Sequence, residues 1–371
     1  MSAVLGRTLI RGARLVCPAS GLDCVAKLLV DGRAVAAIDP AQPPADARII
    51  DATGLVVAPG LIDALAFRTD PVAARAGGIT RLLLMPDQSP PLDDPALVER
   101  AERIGKPMVW VHPLAAATRA LEGSELAEIG LMREAGAVGV ATGRRPVRSA
   151  ALMHRLLTYA CGLGLPVISH AEDWGLSEGA VATEGELATR LGLPAAPAFA
   201  EALAVARDLR LAEATGAHLH FAQITTAEAV ALVRQAKERG IRVSAGVTIN
   251  HLFGTELAIG EWRSFARLSP PLRDEADRRA VVEGVADGTI DLIASGHDPR
   301  SDDEKRLPFA DAAPGAVGQP ILLAMALALA HDGVLPLAAV IERMTAAPAR
   351  LFGLPGGRIA PGEDADLVAF D

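Results

Sequence analysis

Histidine is scarce in this chain, eight residues in 371, and much of it sits where apolar runs give way to polar ones. Ser169-His170-Ala171-Glu172-Asp173 and Gly296-His297-Asp298-Pro299-Arg300 each join an imidazole to neighbouring carboxylates. Groups of that kind hold metal ions or move protons near neutral pH. His218 and His220 form an H-x-H pair, a spacing that puts both rings on one face of a strand and is used in metal sites. His251 follows another apolar run, and Arg68 and Asp87 close two more. His154 and His331 fall in helical segments and read as surface or packing residues, and the charge run of residues 302–306 reads as a solvated loop.

Chemistry carried at the ends of apolar runs needs a scaffold that gathers those ends. Eight such runs recur: GLVVAPGLIDAL, ITRLLLMPD, PMVWVHPL, AVGVATG, LPVISHAED, AHLHFAQIT, IRVSAGVT and IDLIASGHD. Their near-continuous hydrophobicity is what strands buried on both faces require. Ala-, Leu- and Glu-rich segments with helical spacing lie between them, and many end in glycine. Eight strand–helix alternations predict an α/β protein, a (β/α)8 barrel over residues 58–356 with its active site at the C-terminal strand ends. The H-x-H pair then falls at the opposite end, where barrels are built for stability. Residues 1–57 and 357–371 hold short strand-like pieces, one with an Asp-Gly turn, and are expected to form a small β-sandwich appendage.

Composition excludes several classes. Half the residues are hydrophobic but only 3% are aromatic, so the core must be built from Ala, Val, Leu and Ile. A net charge of −9 gives no electrostatic footprint for nucleic acid. Cys17, Cys24 and Cys161 are too few and too scattered for a disulfide framework or a CxxC zinc site. The apolar run of residues 321–330 is too short to span a bilayer, and the N-terminus lacks the h-region of a signal peptide. A soluble, cytoplasmic protein is expected.

SHAED, EGELATRLGLP, AEATGAHLHFAQITTAEAVALVRQAKERGI, SPPLRDEADRRAVVEGVADGTIDLIASGHDP and the closing GRIAPGEDADLVAFD resemble the dihydroorotases, within the amidohydrolase superfamily. The resemblance runs over nearly the whole chain and implies a metal-dependent hydrolase on a (β/α)8 barrel. Active members carry D-x-H-x-H-x-R after strand one, two zinc ligands and an arginine for the substrate carboxylate. Here the histidine positions are Leu65 and Phe67, and Arg68 stands one place early. The motif M-P-N, whose Asn contacts substrate, reads Met85-Pro86-Asp87. The segment S-D-D-G-R-P, which supplies a carboxylate ligand in one branch, reads Ala141-Thr142-Gly143-Arg144-Arg145-Pro146. Of the ligand histidines His170 remains, and the one on strand six is Gln223. Gly296 replaces the catalytic aspartate of D-H-A-P-H. Arg68, Asp87, His251 and Arg300 are what the resemblance leaves of a substrate pocket. The stretch from Arg68 to Gly78 is also near the lower limit for a barrel crossover, so its substrate-covering part is expected to be missing.

Magnitudes decide what these departures imply. Bound metal lowers the pKa of water from about 15.7 to about 7. At about 1.36 kcal/mol per unit, losing that activation forfeits on the order of 12 kcal/mol. Catalytic zinc usually takes three protein ligands, and one imidazole is left. Losing the general base costs a further factor of roughly 100 to 10,000. The expectation is a chain without zinc or catalysis, in which Leu65 and Phe67 fill the former metal cavity and His170 bonds to polar neighbours. The resemblance extends to inactive dihydroorotase-like chains of pyrimidine synthesis that assemble with aspartate transcarbamoylase. It implies a non-catalytic subunit, hetero-oligomeric with that enzyme's catalytic chains. The alternatives are an amidohydrolase with a rebuilt or minimal-metal site on His170, His297, Asp298 and Arg300, and a module that senses a pyrimidine intermediate.

Overall fold

Short aliphatic strands pair near the N-terminus before any α-helix forms. The computed structural model describes residues 6–371. It opens with β1 (Arg7–Arg11), β2 (Arg14–Cys17), β3 (Leu22–Val25), β4 (Leu28–Asp31), β5 (Ala34–Ile38), β6 (Arg48–Asp51) and β7 (Val56–Pro59). Together with β19 (Leu367–Phe370) they form two four-stranded sheets, β5-β4-β1-β6 and β19-β7-β2-β3. Leu15, Cys17, Leu28, Val35, Val57 and Ile359 are buried together in this unit, so both ends of the chain close one core.

The barrel strands are β8 (Leu61–Ala66), β9 (Ile79–Leu84), β10 (Trp110–Pro113) continued by β11 (Ala115–Ala116), β12 (Val140–Ala141) and β13 (Val167–Ser169). A small parallel pair, β14 (Ala182–Thr183) and β15 (Ala195–Ala196), precedes β16 (Leu219–Phe221), β17 (Val243–Thr248) and β18 (Leu292–Ala294). Every barrel pairing is parallel. Closure comes from the Gly296 N–H donating to the Leu65 carbonyl at 3.1 Å and the Phe67 N–H donating to that of His297 at 2.9 Å.

The helices between strands begin where their sequences supply caps. α1 (Pro71–Ala76) and α2 (Pro95–Ile104) start on Asp70 and Asp94, each followed by proline at the first turn. α3 (Ile129–Glu134) is short, whereas α4 (Ala150–Leu163) runs from a Ser149 cap to a left-handed Gly164. α5 (Trp174–Ser177) and α6 (Glu186–Leu191) lie on the excursion after β13, before α7 (Phe199–Thr215) and α8 (Ala227–Glu238). α9 (Ile249–Phe253), α10 (Glu275–Ala286), α11 (Asp302–Lys305), α12 (Leu322–His331), α13 (Leu337–Arg343) and α14 (Ala346–Phe352) complete the order. Among the described residues no helix is long and apolar enough to cross a membrane.

Three local readings of the sequence are corrected. GLVVAPGLIDAL is two strands: β7 joins the sandwich and β8 the barrel, with the break at Gly60. A Cβ at Gly60 would lie 2.3 Å from a Thr80 methyl, so the chain passes there only as glycine. PMVWVHPL pairs with β9 as far as Pro113, and after a break at Leu114 the strand resumes beyond the run at Ala115–Ala116, which pairs with β12. Residues 302–306 are no simple solvated loop. They carry α11, opened by a Ser301–Glu304 capping box that also suits the acidic first turn to the helix dipole. Lys305 is buried there, its ammonium donating to the Ser264 and Arg267 carbonyls at 3.1 and 3.2 Å.

The C-terminal strand is fastened to the barrel by Arg81 of β9. This guanidinium is buried and donates to Asp364 at 3.0 Å and Asp366 at 2.8 Å, with its carbon 5.6 Å from the Trp110 ring centroid. Arg81→Met is expected to lower unfolding free energy by about 2 kcal/mol, since it leaves a half-buried Asp366 without its cation. Urea unfolding would measure the loss, and limited proteolysis should cut first near residues 360–371.

Candidate functional site

The mouth of the barrel is where strand ends meet, and an apolar plug fills its centre. Leu65 and Phe67 are buried and belong to one cluster with Leu83, Met85, Ala141, Ile168, Ala222 and Ala294. The guanidinium carbon of Arg144 stands 3.7 Å from the Phe67 ring centroid, so the plug is capped by a cation lying on an aromatic face. Arg144 Nη1 then reaches Asp298 Oδ2 at 2.5 Å, and Arg300 Nη2 reaches the same oxygen at 2.6 Å. The Asp298 side chain is 1% exposed. Arg68, half-exposed at the rim, adds a longer approach of 3.8 Å to its other oxygen. Three arginines thus converge on one buried carboxylate.

The remaining sequence-nominated residues are engaged in different places. His170 Nε2 pairs with Glu172 Oε2 at 2.8 Å, and the His170 N–H donates to the Thr142 hydroxyl oxygen at 3.0 Å. Asp87 accepts the backbone N–H of Arg144 at 2.8 Å, so it holds the strand-four turn. His251 lies between the Thr248 hydroxyl at 2.7 Å from Nδ1 and the Pro270 carbonyl at 3.1 Å from Nε2. Arg300 Nε donates to the Pro314 carbonyl at 2.9 Å. Arg68, Asp87, His251 and Arg300 therefore do not converge on one open pocket. His297 Nδ1 accepts the Gly318 and Gln319 N–H groups at 3.3 Å, which directs that nitrogen away from any substrate. His218 and His220 share the Ser244 hydroxyl at 3.1 and 2.9 Å, at the N-terminal side of the barrel.

A cavity remains beside the plug, lined by Phe67, Arg144, Gln223, Thr248, His251 and Gly296 among others. Its volume is about 20 Å³, enough for one water molecule. A small organic substrate needs roughly 300 Å³ or more. Gly296 has a left-handed φ of 61°, and a Cβ there would sit 2.7 Å from the Thr248 methyl. Thr248 has closed over the place an aspartate would need.

The resemblance to dihydroorotases implies zinc at this point. Leu65, Phe67 and Gly296 have no side-chain donor atom, Gln223 offers only an amide, and the Thr142 hydroxyl already donates to the Gly143 carbonyl. Among the described residues no group of three or more His, Cys, Asp and Glu is arranged to hold a metal ion. These residues do not fit a zinc ion.

Several buried groups escaped the sequence reading. Asp63 accepts both the N–H and the hydroxyl of Ser295, at 3.0 and 2.5 Å, and an amide hydrogen from Gln319 at 3.2 Å. Burial pushes its carboxyl above the usual range, opposed by those bonds. Glu201 of α7 accepts the backbone N–H groups of Thr225 and Thr226 at 2.8 and 3.0 Å, and Arg273 braces Thr225 and Thr183 at 3.0 Å each. Asp208, one heptad later, accepts the Ser169 hydroxyl at 2.9 Å. Both acids lie on the helix face of Ala204, Val205 and Ala212, and acids on an apolar stripe were the available signal. Burial alone would raise the Glu172 carboxyl, but His170, Arg273 and Arg267 hold it below the usual range.

Phe67→Ala should remove about 3–5 kcal/mol of stability in denaturant unfolding, because the plug leaves a cavity and Arg144 loses its platform. A second outcome concerns pH. Burial, opposed by the Pro270 bond, depresses His251 to about 4 from 6.5, so its neutral form contributes fully above pH 6.5 and that contribution is lost as pH falls to 4. Asp63 and Asp208 are shifted up and run with the opposite sign, so the comparison is between wild type and His251→Gln. Their difference in unfolding free energy should shrink by on the order of 2–3 kcal/mol between pH 6.5 and 4.

Comparison with known proteins agrees with this geometry at the level of the family. The family model described as Dihydro-orotase-like matches residues 58–229. A dihydroorotase of Pelotomaculum thermopropionicum is 42% identical over 382 residues, spanning 98% of this chain and 89% of that protein. A dihydroorotase-like protein of Pseudomonas aeruginosa is 39% identical over 379 residues, with the same shares covered. Among solved structures, the L-hydantoinase (dihydropyrimidinase) from Arthrobacter aurescens superposes with a TM-score of 0.85 at 26% identity, over 97% of this chain and 86% of that one. With a closed parallel barrel, a terminal β-sandwich and sequence agreement along almost its whole length, this chain belongs to the dihydroorotase-like family of amidohydrolases.

Proposed function

We propose that this chain is a non-catalytic member of the dihydroorotase-like family that serves as a structural or regulatory subunit of an aspartate transcarbamoylase complex. One observation carries the non-catalytic reading: the positions at the end of β8 where the resemblance places metal ligands hold Leu65 and Phe67, packed into a plug that leaves about 20 Å³. Two further supports come from other strands. Gly296 offers no carboxylate to act as base, and Thr248 stands where one would have to go. The Asp298 carboxylate is buried and already engaged by Arg144 and Arg300. The partner rests on the resemblance to inactive chains of this family. In that reading the barrel keeps its stability and its outer surface and has given up its reaction.

A second reading is favoured by the relatives named dihydroorotases, one of them 42% identical to this chain. In it the chain remains a cyclic-amide hydrolase with a rebuilt site, and the His170–Glu172 pair would be its proton carrier. Two measurements on the purified protein separate the readings, zinc content and dihydroorotate turnover. The subunit reading expects substoichiometric zinc and no turnover above background, and stoichiometric zinc with turnover would sink it. Co-expression with the aspartate transcarbamoylase of the same organism, followed by gel filtration, is expected to give one co-eluting species. Separate elution at concentrations well above micromolar would rule the partner out.

The plug also sets the outcome of a repair attempt. The double substitution Leu65→His with Phe67→His is expected to give no turnover, because Gln223 and Gly296 still supply neither ligand nor base. Measurable hydrolysis of dihydroorotate by that variant would contradict the account of the site.

A further inference from the structure

The crossover from β8 to β9 runs through the short helix α1. α1 has six residues and rises about 9 Å, whereas the six residues of β9 extend about 20 Å. Several other helices pack side by side, as α2 does with α3, α4 with α7, α7 with α8 and α8 with α10. α1 instead packs on β9 and on the turn at Gln319–Ile321, and it makes no substantial contact with α2. Along α2, closed by the loop after β9 and by Arg68 and Thr69, lies a groove of about 260 Å³. Its floor is apolar, with Leu84, Leu92 and Ala101 buried at the base and Ile104 half-exposed at one end. Arg68 and Arg100 stand at its rim. Val72, on the solvent side of α1, is 71% exposed.

We propose that this groove is the docking site for an acidic amphipathic helix of a protein partner, which would lie against the apolar face of α2. This placement rests on the subunit reading given above and identifies where that partner binds. The size argues for side-chain anchors, since about 260 Å³ is below the usual volume of a small-molecule site but accepts one or two aliphatic side chains. A helix presenting Leu or Ile at i and i+4 meets Leu97, Ala101 and Ile104, which are themselves spaced along one face of α2. The two guanidinium groups at the rim select for carboxylates beside those anchors, in a chain whose net charge is otherwise −9. A second copy of this chain is the competing occupant, and the test separates it.

The test uses Arg100→Glu and Ile104→Asp, both at exposed positions where folding is not at stake. Calorimetry with the aspartate transcarbamoylase of the same organism would compare each with wild type, with melting temperature as the folding control. Each substitution is expected to weaken binding at least tenfold at unchanged melting temperature. Binding equal to wild type would overturn the groove assignment while leaving the subunit reading in place. No binding by wild type would overturn the subunit reading and the groove assignment with it. Sedimentation of the chain alone gives the last outcome: an oligomer that these substitutions dissociate would mean that a second copy fills the groove, and the partner assignment would fall.

Discussion

The interior of a closed parallel barrel has to be filled, and most of what distinguishes this molecule follows from that requirement. Its strands are largely buried, so side chains at the mouth such as Leu65 and Phe67 meet other side chains rather than solvent. A metal ion with its ligands is one way to occupy that volume. Uncompensated ligands are a poor alternative, since buried polar groups without partners each cost free energy. Leu65 and Phe67 meet the requirement by packing with Met85, Ile168 and Ala222, and the cavity beside them is about 20 Å³.

Charge at the mouth has been reorganised in the same way. Asp298 binds Arg144 and Arg300, and Arg144 in turn covers Phe67. Asp87 fixes the turn that carries Arg144 by accepting its backbone N–H. These groups pair with one another instead of pointing at a common vacant position. Pairing of this kind keeps buried ions tolerable, because a carboxylate removed from water needs both a counter-charge and hydrogen-bond donors. It also separates the residues that resemblance would group together. Arg68 turns to the rim and the outer groove, while His251 is locked between Thr248 and Pro270.

The outside of the barrel carries a different surface, the groove along α2. An apolar groove rimmed by two arginines is the kind of surface that association covers, with aliphatic anchors for affinity and charge for selection. The chemistry and the outer surface of this fold are therefore separable, since one depends on strand ends and the other on the outer face of α2.

Sequence alone determined the eight-strand barrel, because strands buried on both faces must be written as apolar runs wherever they pair. It determined the loss of ligands as well: Leu65, Phe67 and Gly296 carry no donor atom in any surroundings. It did not reveal the break at Gly60, since β7 and β8 are equally apolar and differ only in which sheet they join. Nor did it show that Arg144 would cap Phe67 and bind Asp298, or that Lys305 would be buried, because those partners lie tens to hundreds of residues apart. Such pairings, and the groove along α2, were decided only when barrel closure brought distant strand ends and helices into register.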